Sequence, residues 1–113
     1  MTNNAGAPKG VPFKLQTQVE YADGSVVSKT LIQKETGTLT LFAFDTGQGL
    51  SEHTAPFDAV VTILDGRAEI TIGGKTSTVE TGEMLIMPAN IVHALHAKER
   101  FKMLLVMIRG SQS

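Results

Sequence analysis

Arg67-Ala-Glu-Ile-Thr-Ile-Gly-Gly-Lys-Thr-Ser-Thr-Val79 is the stretch that decides the fold class. Two short runs rich in Ile, Thr and Val flank Gly73-Gly74, and a glycine pair supplies the positive φ angles that a two-residue hairpin turn requires. Two antiparallel strands follow. Outward from this hairpin the same pattern repeats. Short apolar runs alternate with turn signals at Asp23-Gly24-Ser25, Glu35-Thr36-Gly37, Thr46-Gly47-Gln48-Gly49, Asp65-Gly66, Thr81-Gly82 and Pro88-Ala89-Asn90. Thr38-Leu-Thr-Leu-Phe-Ala-Phe44 alternates in polarity at its start, as a half-buried strand does. No segment carries the period of a helix, and about eight or nine strands predict an all-β sandwich, jelly roll or small barrel.

A chain of 113 residues holds one domain of ordinary size. Residues 1–10 are small, polar and punctuated by Gly and Pro, which reads as an N-terminal tail, leaving 11–113 as a single β-domain. The chain has no cysteine, which removes disulfides, thiolate nucleophiles, iron–sulfur clusters and Cys-ligated zinc together. Charge is balanced in both halves: four Lys against five acids in 1–56, and six Lys/Arg against six acids in 57–113. Neither half offers the positive field that a phosphate backbone needs, so nucleic acid is not an expected partner. The longest apolar run, Met103–Ile108, is far shorter than the ~20 residues of a membrane helix, and the N-terminus lacks the apolar core of a secretory signal. A cytoplasmic location without membrane attachment is the expectation.

Three segments break the alternation. Ala59–Leu64, Met84–Met87 and Met103–Ile108 are apolar on both faces. An antiparallel strand with one wet face should alternate, so the second faces need cover from another sheet or from a second subunit, and a homodimer is expected.

Only three histidines occur, at 53, 93 and 96. The first lies in Gly47-x5-His53-x-Ala55-x2-Asp58-x7-Gly66 and the second in Gly82-Glu-Met-Leu-Ile-Met-Pro88-Ala-Asn90-Ile-Val-His93. These two motifs, with the hairpin between them, resemble the paired motifs of the cupin family over roughly residues 37–108. The resemblance implies a cupin-like double-stranded β-helix, that is, a jelly-roll barrel. It also implies a divalent metal inside the barrel, with His53 and His93 as the first and last ligands and Asp58 in place of the family's glutamate. Ala55 stands where the second histidine belongs, and Asn90 and Ala97 replace the family's Gly and Asn.

A methyl group ligates nothing, so the remaining set is His53, His93 and Asp58. Two imidazoles and one carboxylate suit Fe, Mn or Zn with open positions for a small-molecule substrate. Asp58 is one methylene shorter than glutamate, whereas metal distances tolerate only ~0.2 Å. The alternative is a metal-free module that binds or senses a small ligand in a mostly apolar pocket, because strand parity puts Ala55 beside His53 and Leu95 and Ala97 beside His93. His96, on the opposite face from His93, is read as a surface or interface residue. Met84, Met87, Met103 and Met107 are read as adaptable core filler that can also line a pocket. Arg67, Arg100 and Arg109 are basic groups within reach of an anion, yet their scattered positions fit solvated strand ends.

Overall fold

The computed structural model describes residues 7–109. Eight strands form one antiparallel sheet that folds back on itself: β1 (Val26–Lys34), β2 (Gly37–Phe44), β3 (Gly49–His53), β4 (Ala59–Ile72), β5 (Lys75–Glu80), β6 (Met84–Met87), β7 (His93–His96) and β8 (Phe101–Ile108). The neighbour order is β1-β2-β8-β4-β7-β3, and β5 and β6 also pair with β4. A short 3-10 turn at Leu15–Thr17 is the sole helical element among the described residues. None is a helix long and apolar enough to cross a membrane. The all-β expectation holds.

The hairpin at the centre of the sequence is present in the expected register, with Ile72 opposite Lys75 and Arg67 opposite Glu80. Gly73 and Gly74 both take positive φ, 56° and 86°. Asp65-Gly66, expected as a turn, is instead an irregularity inside the continuous strand β4. Its physical basis is a bulge: the register against β8 shifts between Ile63 and Asp65, and Gly66 sits at φ 71°. A Cβ there would run into the carbonyl oxygen of Arg100. The bulge divides β4 into two working halves. Before it, β4 pairs with β6 and β8; past Gly66, where the pairing with β8 ends, β4 pairs with β5 and β7. One strand thereby serves both walls of the barrel.

The core lies between those walls. Val61, Ile63, Ala68, Ile70, Phe101 and Met103 are fully buried, and the Phe44 and Phe101 rings stack at 4.4 Å. Each such large side chain removed from water contributes about 1.5–3 kcal/mol. A second cluster forms on the outer side of β1 and β2, where Leu15, Val19 and Tyr21 pack against Leu31, Leu41, Leu64 and Leu104. Polar contacts fasten the same segment: the buried Lys102 ammonium donates to the Gln16 carbonyl at 2.6 Å, and Gln16 Nε2 donates to the Leu64 carbonyl at 2.6 Å. Of the predicted tail, residues 1–6 lie outside the described residues, and the Ala7 amide donates to the Leu31 carbonyl.

The doubly apolar strands are therefore covered unevenly. Their inward side chains, Ala59, Val61, Ile63, Met87 and Met103, are buried in the core. On the outward face the N-terminal segment covers Leu64 and Leu104, while Met84, Ile86 and Ile108 are 62%, 58% and 61% exposed.

Candidate functional site

β3 ends on His53 and β7 begins on His93, and the two residues face each other across that strand pair. Local backbone contacts fix the approach. Gly49 lies so close to Leu95 that a Cβ would meet its carbonyl oxygen, and Gly73 N–H donates to the Val92 carbonyl at 2.8 Å. Glycine at 49 is thus required by the close passage of β3 over β7. The result brings the two imidazoles edge to face with centroids 4.2 Å apart and Nε2 atoms 3.0 Å apart. His93 is buried; His53 is exposed and stands at the mouth.

The other ring nitrogens define the chemistry. His53 Nδ1 lies 2.8 Å from the Ser51 carbonyl and His93 Nδ1 lies 3.2 Å from the Ile91 carbonyl. A carbonyl oxygen only accepts, so each Nδ1 carries a hydrogen and donates it. In the neutral rings both Nε2 atoms are then bare, 3.0 Å apart. Two lone pairs at 3.0 Å repel unless a cation lies against them. Burial, and then the charge of His53, hold the His93 pKa below its ordinary value, with the Ile91 carbonyl opposing. A backbone carbonyl on Nδ1 with Nε2 free is the arrangement that orients histidine for metal ligation.

A cavity of about 110 Å³ opens beside the pair. Leu50, Ala55, Phe57, Ala59, Leu95 and Leu105 give it apolar walls, and Met87, Met103 and Met107 also line it. Ala55, just past the end of β3, faces this space together with His53, as expected, though outside the strand whose parity suggested it. Asp58 does not line it. Its Oδ1 accepts the Ala89 amide hydrogen at 2.8 Å, and its side chain is exposed. The neighbouring Asn90 amide donates to the Ala55 carbonyl at 2.7 Å, with Asn90 in the left-handed region at φ 65°. Asparagine tolerates that conformation better than other residues bearing a Cβ, which explains its presence where the motif has glycine. Asp58 and Asn90 together fasten the β6–β7 turn to the segment before β4. The carboxylate expected as a third ligand is thus taken up by a backbone amide. Among the described residues no group of three or more His, Cys, Asp or Glu is placed to hold a metal ion.

The remaining sequence candidates lie apart from the cavity. His96 is exposed and Ala97 is fully buried in the core. Arg67 pairs with Glu80 and Glu99, and Arg100 with Asp45 and Asp23, all on the surface. Arg109 alone approaches the cavity, stacking its guanidinium 5.2 Å from the centroid of Phe57. The carbonyls of Ser51 and Ile91, each two residues before its histidine, were not legible as site groups. Every residue carries a carbonyl, so no residue type marks one that will meet an imidazole.

A family model for the cupin domain matches residues 40–108. Among solved structures, the chain resembles a conserved protein of unknown function from Streptococcus pyogenes, with a TM-score of 0.90 and 38% identity over 99% of this chain and 98% of that one. It resembles a cupin superfamily protein from Desulfitobacterium hafniense, with a TM-score of 0.88 and 29% identity, covering 96% of this chain and all of the other. A cupin 2 conserved barrel domain protein from Leptotrichia buccalis is 43% identical with a TM-score of 0.83; the match covers 86% of this chain and 47% of that longer one. The two ordered motifs, the jelly-roll walls and these matches agree, and the chain belongs to the cupin domain family.

Proposed function

We propose that this protein binds a metal ion at the barrel mouth through Nε2 of His53 and Nε2 of His93, presenting it to a small molecule. The observation that carries this reading is the opposed pair of Nε2 atoms at 3.0 Å, each on a ring whose Nδ1–H is held by a backbone carbonyl. The two-histidine, one-carboxylate set for Fe, Mn or Zn does not fit, because Asp58 is held by Ala89. The imidazoles supply two ligands, and the remaining positions face the cavity and its mouth.

The metal-free reading draws support from the apolar lining. Size weighs against it. A cavity of about 110 Å³ is well below the ~300–1,000 Å³ of sites that enclose drug-sized ligands, so it suits an ion with a few attached atoms. Protein prepared without chelator or metal-charged resin, analysed for elements and then titrated with metal, tests the choice. Stoichiometric uptake that His93→Ala abolishes is the expected result. Long-range nitrogen–proton spectra that place the hydrogen on Nε2 of either ring, with no uptake, would overturn it.

The same reading includes a homodimer in the cytoplasm. Ile86, Val60, Val106, Leu39 and Ile32 occupy matched registers across β6, β4, β8, β2 and β1, forming an apolar row across the sheet. A second copy related by twofold symmetry is the occupant such a row suits, since each copy offers the same patch to the other.

A further inference from the structure

We infer that the ion taken at this mouth is a soft monovalent cation of the copper(I) class, held by the two Nε2 atoms and by thioether sulfur from the cavity methionines. The inference rests on the metal reading of His53 and His93 and goes on to name the kind of metal.

The donor set and the dielectric favour it, and the geometry admits it. With Asp58 bonded to Ala89, the cavity holds two imidazoles and no carboxylate, while Met87 from β6 and Met103 and Met107 from β8 line the same space. Hard divalent ions favour oxygen and complete their shells with several such ligands, whereas thioethers select soft ions such as copper(I). At an Nε2 separation of 3.0 Å, an ion ~2.0 Å from each nitrogen sees the pair at an angle of roughly 100°. Both nitrogens then occupy one side of the ion and the other side stays open to the chamber. Ala59, Leu95 and Leu105 surround the space with hydrocarbon, and the cost of dehydrating an ion rises with the square of its charge. A doubly charged ion without a carboxylate is therefore held at about four times the desolvation cost of a singly charged one.

Methionine also fills irregular packing gaps, so a loss of copper(I) binding in a variant that stays folded is what separates a ligand from core filler. The test uses the full chain under anaerobic conditions. Copper(I) is titrated in competition with a copper(I)-selective chromogenic chelator, silver(I) serves as a redox-inert parallel, and zinc(II) and manganese(II) are titrated separately. The expected result is one copper(I) or silver(I) per chain, bound at least ~100-fold more tightly than zinc(II) or manganese(II). X-ray absorption should show sulfur as well as nitrogen bound to copper. Met103→Leu and Met107→Leu conserve volume, so the barrel stays folded by circular dichroism. At least one of them should weaken copper(I) about tenfold, with zinc(II) binding unchanged.

Zinc(II) or manganese(II) binding as tight as copper(I), with both leucine variants unaltered, would overturn the soft-ion inference and leave the histidine metal site standing. No uptake of any of the four ions would overturn both.

Discussion

At the scale of single residues, two side chains that look alike to a motif have opposite fates. His93 and Asp58 both match ligand positions, yet one turns its Nε2 to a partner imidazole and the other gives its oxygen to the Ala89 amide. The difference follows from side-chain length and local competition. A short carboxylate reaches a nearby backbone N–H before it reaches the barrel axis, and a charged acceptor makes that bond a good one. Asp58→Ala should therefore cost ~1 kcal/mol in urea denaturation, a value reduced by the exposure of the bond, while metal uptake stays within twofold of the parent protein. A loss of uptake comparable to that of His93→Ala would restore Asp58 as a ligand. The histidines were legible because motif spacing and strand parity are properties of the chain itself. The competitor for Asp58 was not, since the Ala89 amide lies 31 residues away.

At the scale of elements, glycine pairs and glycine singles divide the work. Gly73-Gly74 was readable as a hairpin because its turn chemistry and the two strands it joins lie within a few residues, although the Gly73 N–H itself donates to the distant Val92 carbonyl. Asp65-Gly66 carries an equally strong local turn signal, but pairing with β8 continues through it as Asp65 opposite Lys102 and Gly66 opposite Phe101. The partner strand converts a turn into a bulge. Gly66→Ala should destabilise the protein by about 2 kcal/mol or more, since alanine would be forced to a positive φ against the Arg100 carbonyl. Chemical denaturation measures it, and a change within experimental error would mean that the bulge relaxes freely.

Asp45 joins elements in a similar way. It follows β2, accepts the Gly24 amide at 2.7 Å and the Arg100 Nε–H at 2.8 Å, and so links the approaches to β1 and β8. The Gly24 amide first, and then the Arg100 bond, hold its carboxyl below the usual carboxylate range. A depressed folded-state value means the unfolded chain binds the proton more readily, so the contribution is complete above the ordinary Asp value and fades as acid titrates the folded carboxylate. Stability should fall as pH drops below ~4, and Asp45→Asn should flatten that part of the profile. Urea midpoints measured from neutral to acid pH in both proteins decide this, and parallel curves would remove Asp45 from the account.

At the scale of the whole molecule, the outward face of β4, β6 and β8 is partitioned. Leu15, Val19 and Tyr21 cover one end, and Ile86, Met84 and Ile108 are left exposed at the other. Light scattering at micromolar concentration should report twice the 12.1 kDa chain mass. Ile86→Lys should shift the protein to one chain mass without unfolding it, because the substituted side chain is already 58% exposed in the single chain. A parent protein that scatters as one chain would mean that this face needs no partner.

The sequence by itself determined the all-β class, the central hairpin, the two motif histidines and the presence of strands apolar on both sides. These follow from period, turn chemistry and spacing, which are local and are read along the chain. Tertiary structure alone decided which groups compete for Asp58, which carbonyls hold the imidazole Nδ1 hydrogens and which methionines share a cavity with the histidines. Ala59 and Met107 are 48 residues apart and sit opposite one another only because β8 pairs with β4. The chemistry of this site resides in backbone groups and side chains that meet across the barrel, and such meetings are set by the path of the whole chain rather than by any segment of it.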